Sequence, residues 1–408
     1  MALAALDDEF DGLVRDALVA ADVPGAAFGV AHGDDVWMRA YGVTERGGGV
    51  PVTPETTFRI ASITKPFTAT LALSLQIAGA LEFDDVVAAP EPDVTVRHLL
   101  SHLGGFESEC GDLSRFGEGD DALPRLAAEL LRQRQLVRPG EVWSYCNAGY
   151  WLLAHVLGNR NGTTYEAALD EWVLQPLGLR STHWGEPEAA GHDPGPQRPH
   201  HPRARRASGG LTSNVPDVLA FARLHLDAPE TAALREPVAR TPDGFYGLGL
   251  GLEPLGDLQP WGHIGNWGGA VSRLTFEPER DFVFVALANT ATAGRTLREL
   301  EDEAVARVLG TRRAEQPTVP LPPEELSPLA ARYETPAGSF VALTPEAGGL
   351  AVEATATPPT HARSLGNRVF EVVGGPLRGL RFDFHPEEGE PRFVRFGARL
   401  VERVYETT

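Results

Sequence analysis

Apolar positions near the start of the chain recur at helical spacing from Ala4 to Ala21. They then give way to two short runs of strand character, Ala26 to Ala31 and Val36 to Tyr41, on either side of the turn His32-Gly33-Asp34-Asp35. This predicts a helix followed by a β-hairpin. A second pair of strand-like runs, Ala270 to Phe276 and Phe282 to Ala288, brackets Glu277-Pro278-Glu279-Arg280-Asp281, and a helical rhythm returns from Arg295 to Leu309. Strands at both ends with helices beside them predict one antiparallel sheet flanked by helices. Residues 80 to 250 read instead as helical patterns broken by Gly and Pro, and predict an inserted helical region. It includes a polar, proline-rich loop from Glu186 to Arg206 whose His200, His201 and Arg203 to Arg206 are expected to be solvated.

The pattern changes once more. Ala314 to Pro323 holds four prolines and predicts an extended spacer. After it come six short alternating runs: Phe340 to Leu343, Leu350 to Ala354, Val369 to Val373, Leu380 to Phe384, Arg392 to Phe396 and Arg399 to Val404. Regular short strands separated by turn residues predict a small all-β antiparallel barrel or sandwich. The expected organisation is a mixed α/β domain over residues 1–313 with its helical insert at about 80–250, a linker at 314–323, and a β domain at 324–408.

Charge and cysteine content narrow the function. A formal net charge of −20 over 408 residues argues against a nucleic-acid partner or an anionic membrane surface, both of which require clustered positive charge. Cys110 and Cys146 are the only cysteines, so no disulfide framework and no Cys-x-x-Cys site is expected. The first residues, MALAALDDEF, are acidic early and lack a basic leader pattern, and no uninterrupted apolar run of about 18 residues occurs. The chain as given therefore reads as cytoplasmic, without a membrane span; a trimmed leader would leave the same sequence.

Candidate chemistry begins in FRIASITKPFTATLALSLQ. Lys65 is the only lysine among 36 basic residues, every other one being arginine. A guanidinium keeps its proton, whereas an ammonium gives one up when desolvated, so a single Lys in an Arg-using chain points to proton transfer. Ser62 lies three residues earlier, one helical turn away on the same face. Pro66 is tolerated only in a first turn, which puts Ser62 at the positive end of the helix. Because Phe67 to Ala78 is apolar nearly all round, that helix should be buried and Lys65 with it, poised as a proton acceptor for Ser62.

Two further stretches carry polar groups suited to the same chemistry. Tyr145-Cys146-Asn147 follows a Pro-Gly turn and precedes an apolar helical run; a phenol near a lysine can relay protons, and a carboxamide can bind a substrate amide. His263 and Gly265 stand just before a strand, among several glycines; glycines at a strand edge permit close approach, and an unpaired edge N–H can donate to an oxyanion. No Gly-x-Ser-x-Gly elbow, His-Glu-x-x-His, P-loop or Gly-x-Gly-x-x-Gly is present.

In order along the chain, Thr57-Phe-Arg-Ile-Ala-Ser-Ile-Thr-Lys65, His98-Leu-Leu-Ser-His102, Tyr145-x-Asn147, Gly209-Gly-Leu211 and Tyr246-Gly-Leu-Gly249 before His263-x-Gly265 resemble the penicillin-recognising serine hydrolases. These include class C β-lactamases, DD-peptidases, esterases and D-aminopeptidases. The resemblance spans most of residues 20–290. It implies a serine β-lactamase-like fold, with an antiparallel sheet from both chain ends, an all-helical region between and the site at their junction, and it identifies the last domain with the barrel that peptidase-like relatives append. It also implies roles. Ser62 would be the acylated nucleophile, Lys65 its base or orienter and Tyr145 the proton shuttle, while His263 would take the place held by lysine in the Lys-Thr-Gly members and support Tyr145. Asn147 would bind the substrate amide, and the backbone N–H groups of Ser62 and Asn266, beside Gly265, would form the oxyanion hole.

Two positions depart from the family pattern. Cys146 stands where serine is usual, and is expected to be packing. Ile264 replaces the threonine that in carboxypeptidase-like and lactamase-like relatives holds a free carboxylate, which favours an ester, an amide or a peptide read from its amino end. The expectation is a serine hydrolase of esterase or D-aminopeptidase type acting on a small molecule or short peptide, with no cofactor and no metal. Two alternatives stand beside it: a catalytically silent module that captures muropeptides or peptides, and a metallohydrolase built on His98 and His102.

Overall fold

A computed structural model describes residues 2–88, 93–108, 111–133 and 135–405. Its central feature is an eight-stranded antiparallel sheet. In spatial order its strands are Asp35–Gly42, Gly25–His32, Phe282–Ala288, Ala270–Glu277, Trp261–Trp267, Gly251–Leu252, Gly244–Tyr246 and Ala239–Thr241. The first and last of these strands in sequence lie side by side, second and third in the sheet, where Ala26 pairs with Ala288 and Ala31 with Val283. Side chains alternate between the faces of a strand, so a sheet covered on both sides needs apolar residues at consecutive positions. FVFVALA at Phe282–Ala288 meets that demand, buried at all seven positions.

One face, through Phe28, Val30, Phe284 and Ala286, packs on the terminal helices Asp8–Ala20 and Gly294–Leu309. The other face, through Ala27, Ala31, Val283, Val285 and Leu287, packs on the helix Val215–Asp227. Gly29 is where that helix comes closest; a β-carbon there would sit 2.5 Å from Val215 and 2.8 Å from Leu219. Phe221 of the same helix stacks on Phe67 at 3.6 Å, which fixes the helix Thr64–Ile77 against the sheet.

The inserted region departs from expectation at its end. Residues 239–246, placed by their sequence in the helical part, supply two strands to the sheet edge. Strands of three residues are too short for a period of two to register. The loop from Glu186 to Arg206 also differs from the solvated segment that was expected. Arg203 and Arg206 both bond Glu166, and His201 is buried edge-on against Trp267 at 4.7 Å. His200, exposed, bonds Glu118.

Residues 311–322 form no regular element, and beyond them eight strands close into an antiparallel barrel. Six match the alternating runs. The other two, Ala331–Glu334 and Thr357–Gly366, escape a reading by pattern because one is four residues long with a single buried side chain, and the other begins with Pro358 and Pro359. Tyr333, Phe370, Phe382 and Phe384 fill the barrel interior. Cys146 is a buried thiol that forms no disulfide among the described residues, whereas Cys110 lies outside them. Among those residues no helix is long and apolar enough to cross a membrane.

His225, on the helix Val215–Asp227, gives this core a pH dependence. It is wholly buried between Phe221 and Phe276, and neither ring nitrogen has a hydrogen-bond partner among the described residues. Desolvation, with a smaller effect from the charge of Arg235, pushes its pKa from 6.5 down to about 3. The unfolded chain therefore binds a proton that the folded chain refuses, and stability is lost as pH falls from 6.5 toward 3. Replacing the ring without the titration, His225→Phe, should remove about 2 kcal/mol of the stability lost between pH 7 and pH 5. Urea unfolding of both proteins at the two pH values measures this; parallel losses would contradict it.

Candidate active site

The turn Ala61–Ile63 runs directly into the helix Thr64–Ile77. Ala61 occupies the left-handed region at φ 45°, a strained choice for a residue with a β-carbon, and it stands immediately before Ser62. The reason is steric. The strand Trp261–Trp267 presses on this turn through Gly265, where an added β-carbon would come within 2.3 Å of the Ile60 carbonyl oxygen and 2.2 Å of Ser272 Oγ. Ser272, opposite Gly265 in the ladder, donates its hydroxyl to the Ile60 carbonyl at 2.7 Å. The backbone before Ser62 is thus clamped by two residues of the sheet.

Lys65 follows one turn later and has no solvent-accessible surface. Its Nζ donates to the Ser208 carbonyl at 2.7 Å and to Asn147 Oδ1 at 2.9 Å, and lies 3.2 Å from Ser62 Oγ. Carbonyl oxygens can only accept, so two N–H groups of the amine are committed. The remaining position, an N–H of the ammonium or the lone pair of the neutral amine, is aimed at the Ser62 hydroxyl. That is the geometry of a proton exchange. Nζ also sits over the rings of Tyr145 and Tyr150, 4.6 and 5.3 Å from their centroids. Gly249 makes room beside it: the left-handed φ of 83° and the 2.4 Å approach to Ala69 leave no space for a side chain.

Asn147 begins the helix Asn147–Asn161. Its oxygen belongs to Lys65, so the group it can offer a substrate is its NH2. Cys146 has a structural role, because its Sγ caps that helix by accepting from the Gly149 N–H at 3.3 Å. Tyr145 is half-buried, with its ring 4.4 Å from His102 and 6.0 Å from His263.

His263 shares the strand face of Gly265 and directs Nδ1 to the Ile264 carbonyl at 2.7 Å. A carbonyl can only accept, so Nδ1 carries the ring's proton in this contact. Nε2 has no partner among the described residues, and desolvation together with the positive charge of Lys65 pulls the pKa down to about 3. A neutral His263 therefore turns an acceptor nitrogen toward the pocket. Ile264 and Asn266 alternate to the other face and are exposed.

Ser62, Lys65, Tyr145, Asn147, His263 and Gly265 therefore converge on one locus, with Asn266 on the adjoining strand edge. His98 and His102 do not pair as a metal site. His98 Nδ1 accepts from the Thr95 N–H in a helix cap, and His102 Nδ1 accepts from the Cys146 N–H. Among the described residues no group of three or more His, Cys, Asp and Glu side chains is arranged to hold a metal ion. Two contributors have no signature in the sequence, the Ser208 carbonyl and the Ser108 hydroxyl that accepts from the Asn147 N–H. His102 is the third addition, a buried ring packed among Trp143, Tyr145, Tyr150 and Tyr246.

Residues 10–307 match the family model described as Beta-lactamase. The chain is 31% identical over 364 residues to "Penicillin-binding protein 4" of Amycolatopsis lactamdurans, covering 78% of this chain and 94% of that protein. It is 33% identical over 215 residues to "Esterase EstB" of Burkholderia gladioli, covering 45% of this chain and 53% of the esterase. Among solved structures, that of SurE with D-Leu superposes with a TM-score of 0.77 at 27% identity, covering 97% of this chain and 99% of the other.

The clamp on the turn before Ser62 is open to a direct test. Gly265→Ala should lower unfolding stability by about 2 kcal/mol, since neither the Ile60 carbonyl nor Ser272 can move freely. It should also slow modification of Ser62 by a fluorophosphonate at least about tenfold, through a misplacement on the order of 1 Å. Gly48→Ala, at a site with nothing within 4 Å of the new methyl, is the control and should leave both unchanged. Equal behaviour of the two variants in melting and labelling experiments would contradict the clamp.

Proposed function

Since the chain belongs to the Beta-lactamase family, whose matched residues 10–307 hold every group described above, we propose that it is a serine hydrolase that forms and hydrolyses an acyl-enzyme on Ser62. The observation that carries this reading is the contact of Ser62 Oγ with an amine that has no exposed surface and whose other donors are taken by Asn147 and Ser208.

Ser62 Oγ attacks the carbonyl carbon of an ester or amide and passes its proton to the neutral amine of Lys65, forming the new C–O bond. The carbonyl electrons move onto oxygen, where the Ser62 N–H and the N–H of Asn266 on the strand edge stabilise the charge. The intermediate collapses by breaking the bond to the leaving alkoxide or amine, which takes a proton from Tyr145. Lys65, whose Nζ lies 4.6 Å from the centre of the Tyr145 ring, returns that proton to the phenolate. Neutral His263, with Nε2 unprotonated, accepts a hydrogen bond and holds the phenol or an entering water. Water then repeats the sequence on the acyl-enzyme.

Substrate class follows from the strand edge. Ile264 exposes an apolar side chain, 54% accessible, at the place where lactamase-like and carboxypeptidase-like relatives use a threonine to bind a carboxylate. An apolar group cannot repay the desolvation of a carboxylate. This favours esters, amides or peptides entered from the amino end over β-lactams and D-Ala-D-Ala peptides, in keeping with the esterase among its relatives.

Incubation with a fluorophosphonate, followed by intact-mass measurement and peptide mapping, should find one adduct, on Ser62, and none in Ser62→Ala. Lys65→Arg keeps the charge but holds its proton, and should lower kcat with p-nitrophenyl acetate by at least about a hundredfold. Labelling that persists in Ser62→Ala, or full turnover in Lys65→Arg, would overturn the assignment; a silent binding module would show neither labelling nor turnover in the wild type.

A further inference from the structure

The Tyr145 segment is held from two sides, and one of them is the C-terminal barrel. On the inner side, the Ser144 N–H donates to the His102 carbonyl and the Cys146 N–H to His102 Nδ1, both at 3.1 Å. On the outer side, the Tyr145 N–H donates to the carbonyl of Ala398 at 2.7 Å, and the Leu400 N–H donates to Ser144 Oγ at 3.2 Å. Ala398 lies in the turn between the barrel strands Phe393–Phe396 and Arg399–Arg403, and packs on the cluster of Leu103, Trp143, Ala239 and Tyr246. A buried amide in a catalytic loop thus finds its acceptor some 250 positions away.

Arg395 fastens this hairpin. It is 3% exposed, and its guanidinium is held in plane by Asp383, with Nε bonding Oδ1 at 2.9 Å and Nη2 bonding Oδ2 at 2.5 Å. The remaining direction of the fork reaches out of the barrel: Nη1 donates to the Trp143 carbonyl at 3.2 Å and the Arg240 carbonyl at 3.1 Å. Trp143 is two residues before Tyr145; Arg240 belongs to the edge strand of the sheet. Five fixed donors in one plane are what allow a single side chain to join a carboxylate to two carbonyls.

We propose that Arg395 is a positioning residue for Tyr145: the barrel, through the Arg395–Trp143 bond and the Ala398–Tyr145 bond, sets where the phenol stands relative to the leaving group. This rests on the reading of Tyr145 as the proton donor in a Ser62 acyl-enzyme mechanism. Its distinguishing consequence is a dependence on the leaving group. A p-nitrophenolate departs without a proton, whereas an alkoxide or an amine requires one in the transition state. Loosening the hairpin should therefore harm poor leaving groups and spare good ones.

The experiment compares kcat and KM for p-nitrophenyl acetate and for an ethyl ester and an anilide panel in the wild type, Arg395→Ala, Ser144→Ala, Tyr145→Phe and Arg395→Ala/Tyr145→Phe. Loss of the buried guanidinium can unfold the barrel, so Ser144→Ala serves as the mild variant that breaks only the bond from Leu400. With alkyl ester or anilide, kcat/KM, which reports acylation and so the departure of the leaving group, should fall by about ten- to a hundredfold in Arg395→Ala and by about fivefold in Ser144→Ala. With the p-nitrophenyl ester kcat/KM of both variants should stay within about twofold of wild type. The double variant should be no slower than Tyr145→Phe alone, because the two changes remove the same interaction. Equal losses on good and poor leaving groups, an additive double variant, or an unaffected Ser144→Ala would overturn the proposal. Wild-type protein that is never labelled on Ser62 would fail the acyl-enzyme reading instead.

Discussion

The whole site depends on hiding one amine. A lysine nitrogen without any accessible surface is costly unless its protons meet acceptors, and the interior of an apolar helix offers none. Here the acceptors come from elsewhere in the chain: Ser62 from the preceding turn, Asn147 from the start of a second helix, Ser208 from the end of a third. Meeting the requirement of Lys65 therefore fixes three separate segments against one another. The same contacts that satisfy the nitrogen leave its last direction on the Ser62 hydroxyl, so the structural need and the chemical use coincide.

The parts legible in the sequence were those whose cause is local. Strands buried on both faces write themselves as continuous apolar runs, as in Phe282–Ala288, and a serine one turn before a lysine in an apolar helix declares both spacing and burial. Tyr145, Asn147 and His263 became legible only together, through their order. What stayed hidden was supplied by backbone. The carbonyls of Ser208 and Ala398 belong to residues of any type, and no side-chain pattern marks them. The edge strands at 239–246 were too short for periodicity, and in the barrel strand Thr357–Gly366 the pair Pro358-Pro359 interrupts the pattern. The loop at Arg203 to Arg206 misled because its charges are balanced by Glu166, a residue distant in sequence.

The departures from the family pattern have physical places as well. Cys146 keeps the job of a small hydrogen-bonding residue, with sulfur in place of a hydroxyl oxygen at the helix start. His263 differs more in kind. Where a lysine at this position would bring a second positive charge beside Lys65, a neutral imidazole brings an acceptor.

The pairing of the sheet's first strand with its last has a cost in time. Gly25, at the start of its strand, donates its N–H to the side chain of Asn289, 264 positions later, and the ladder beside it is made with Phe282–Ala288. At a ribosomal pace of roughly 5–20 residues per second, the strand Gly25–His32 waits on the order of ten to fifty seconds for its central neighbour. Throughout that interval GAAFGVAH is an apolar segment with an unpaired edge, sheltered only by its own hairpin and by the amphipathic helix ahead of it. During biosynthesis the strand Gly25–His32 must therefore be guarded until Phe282–Ala288 has been made.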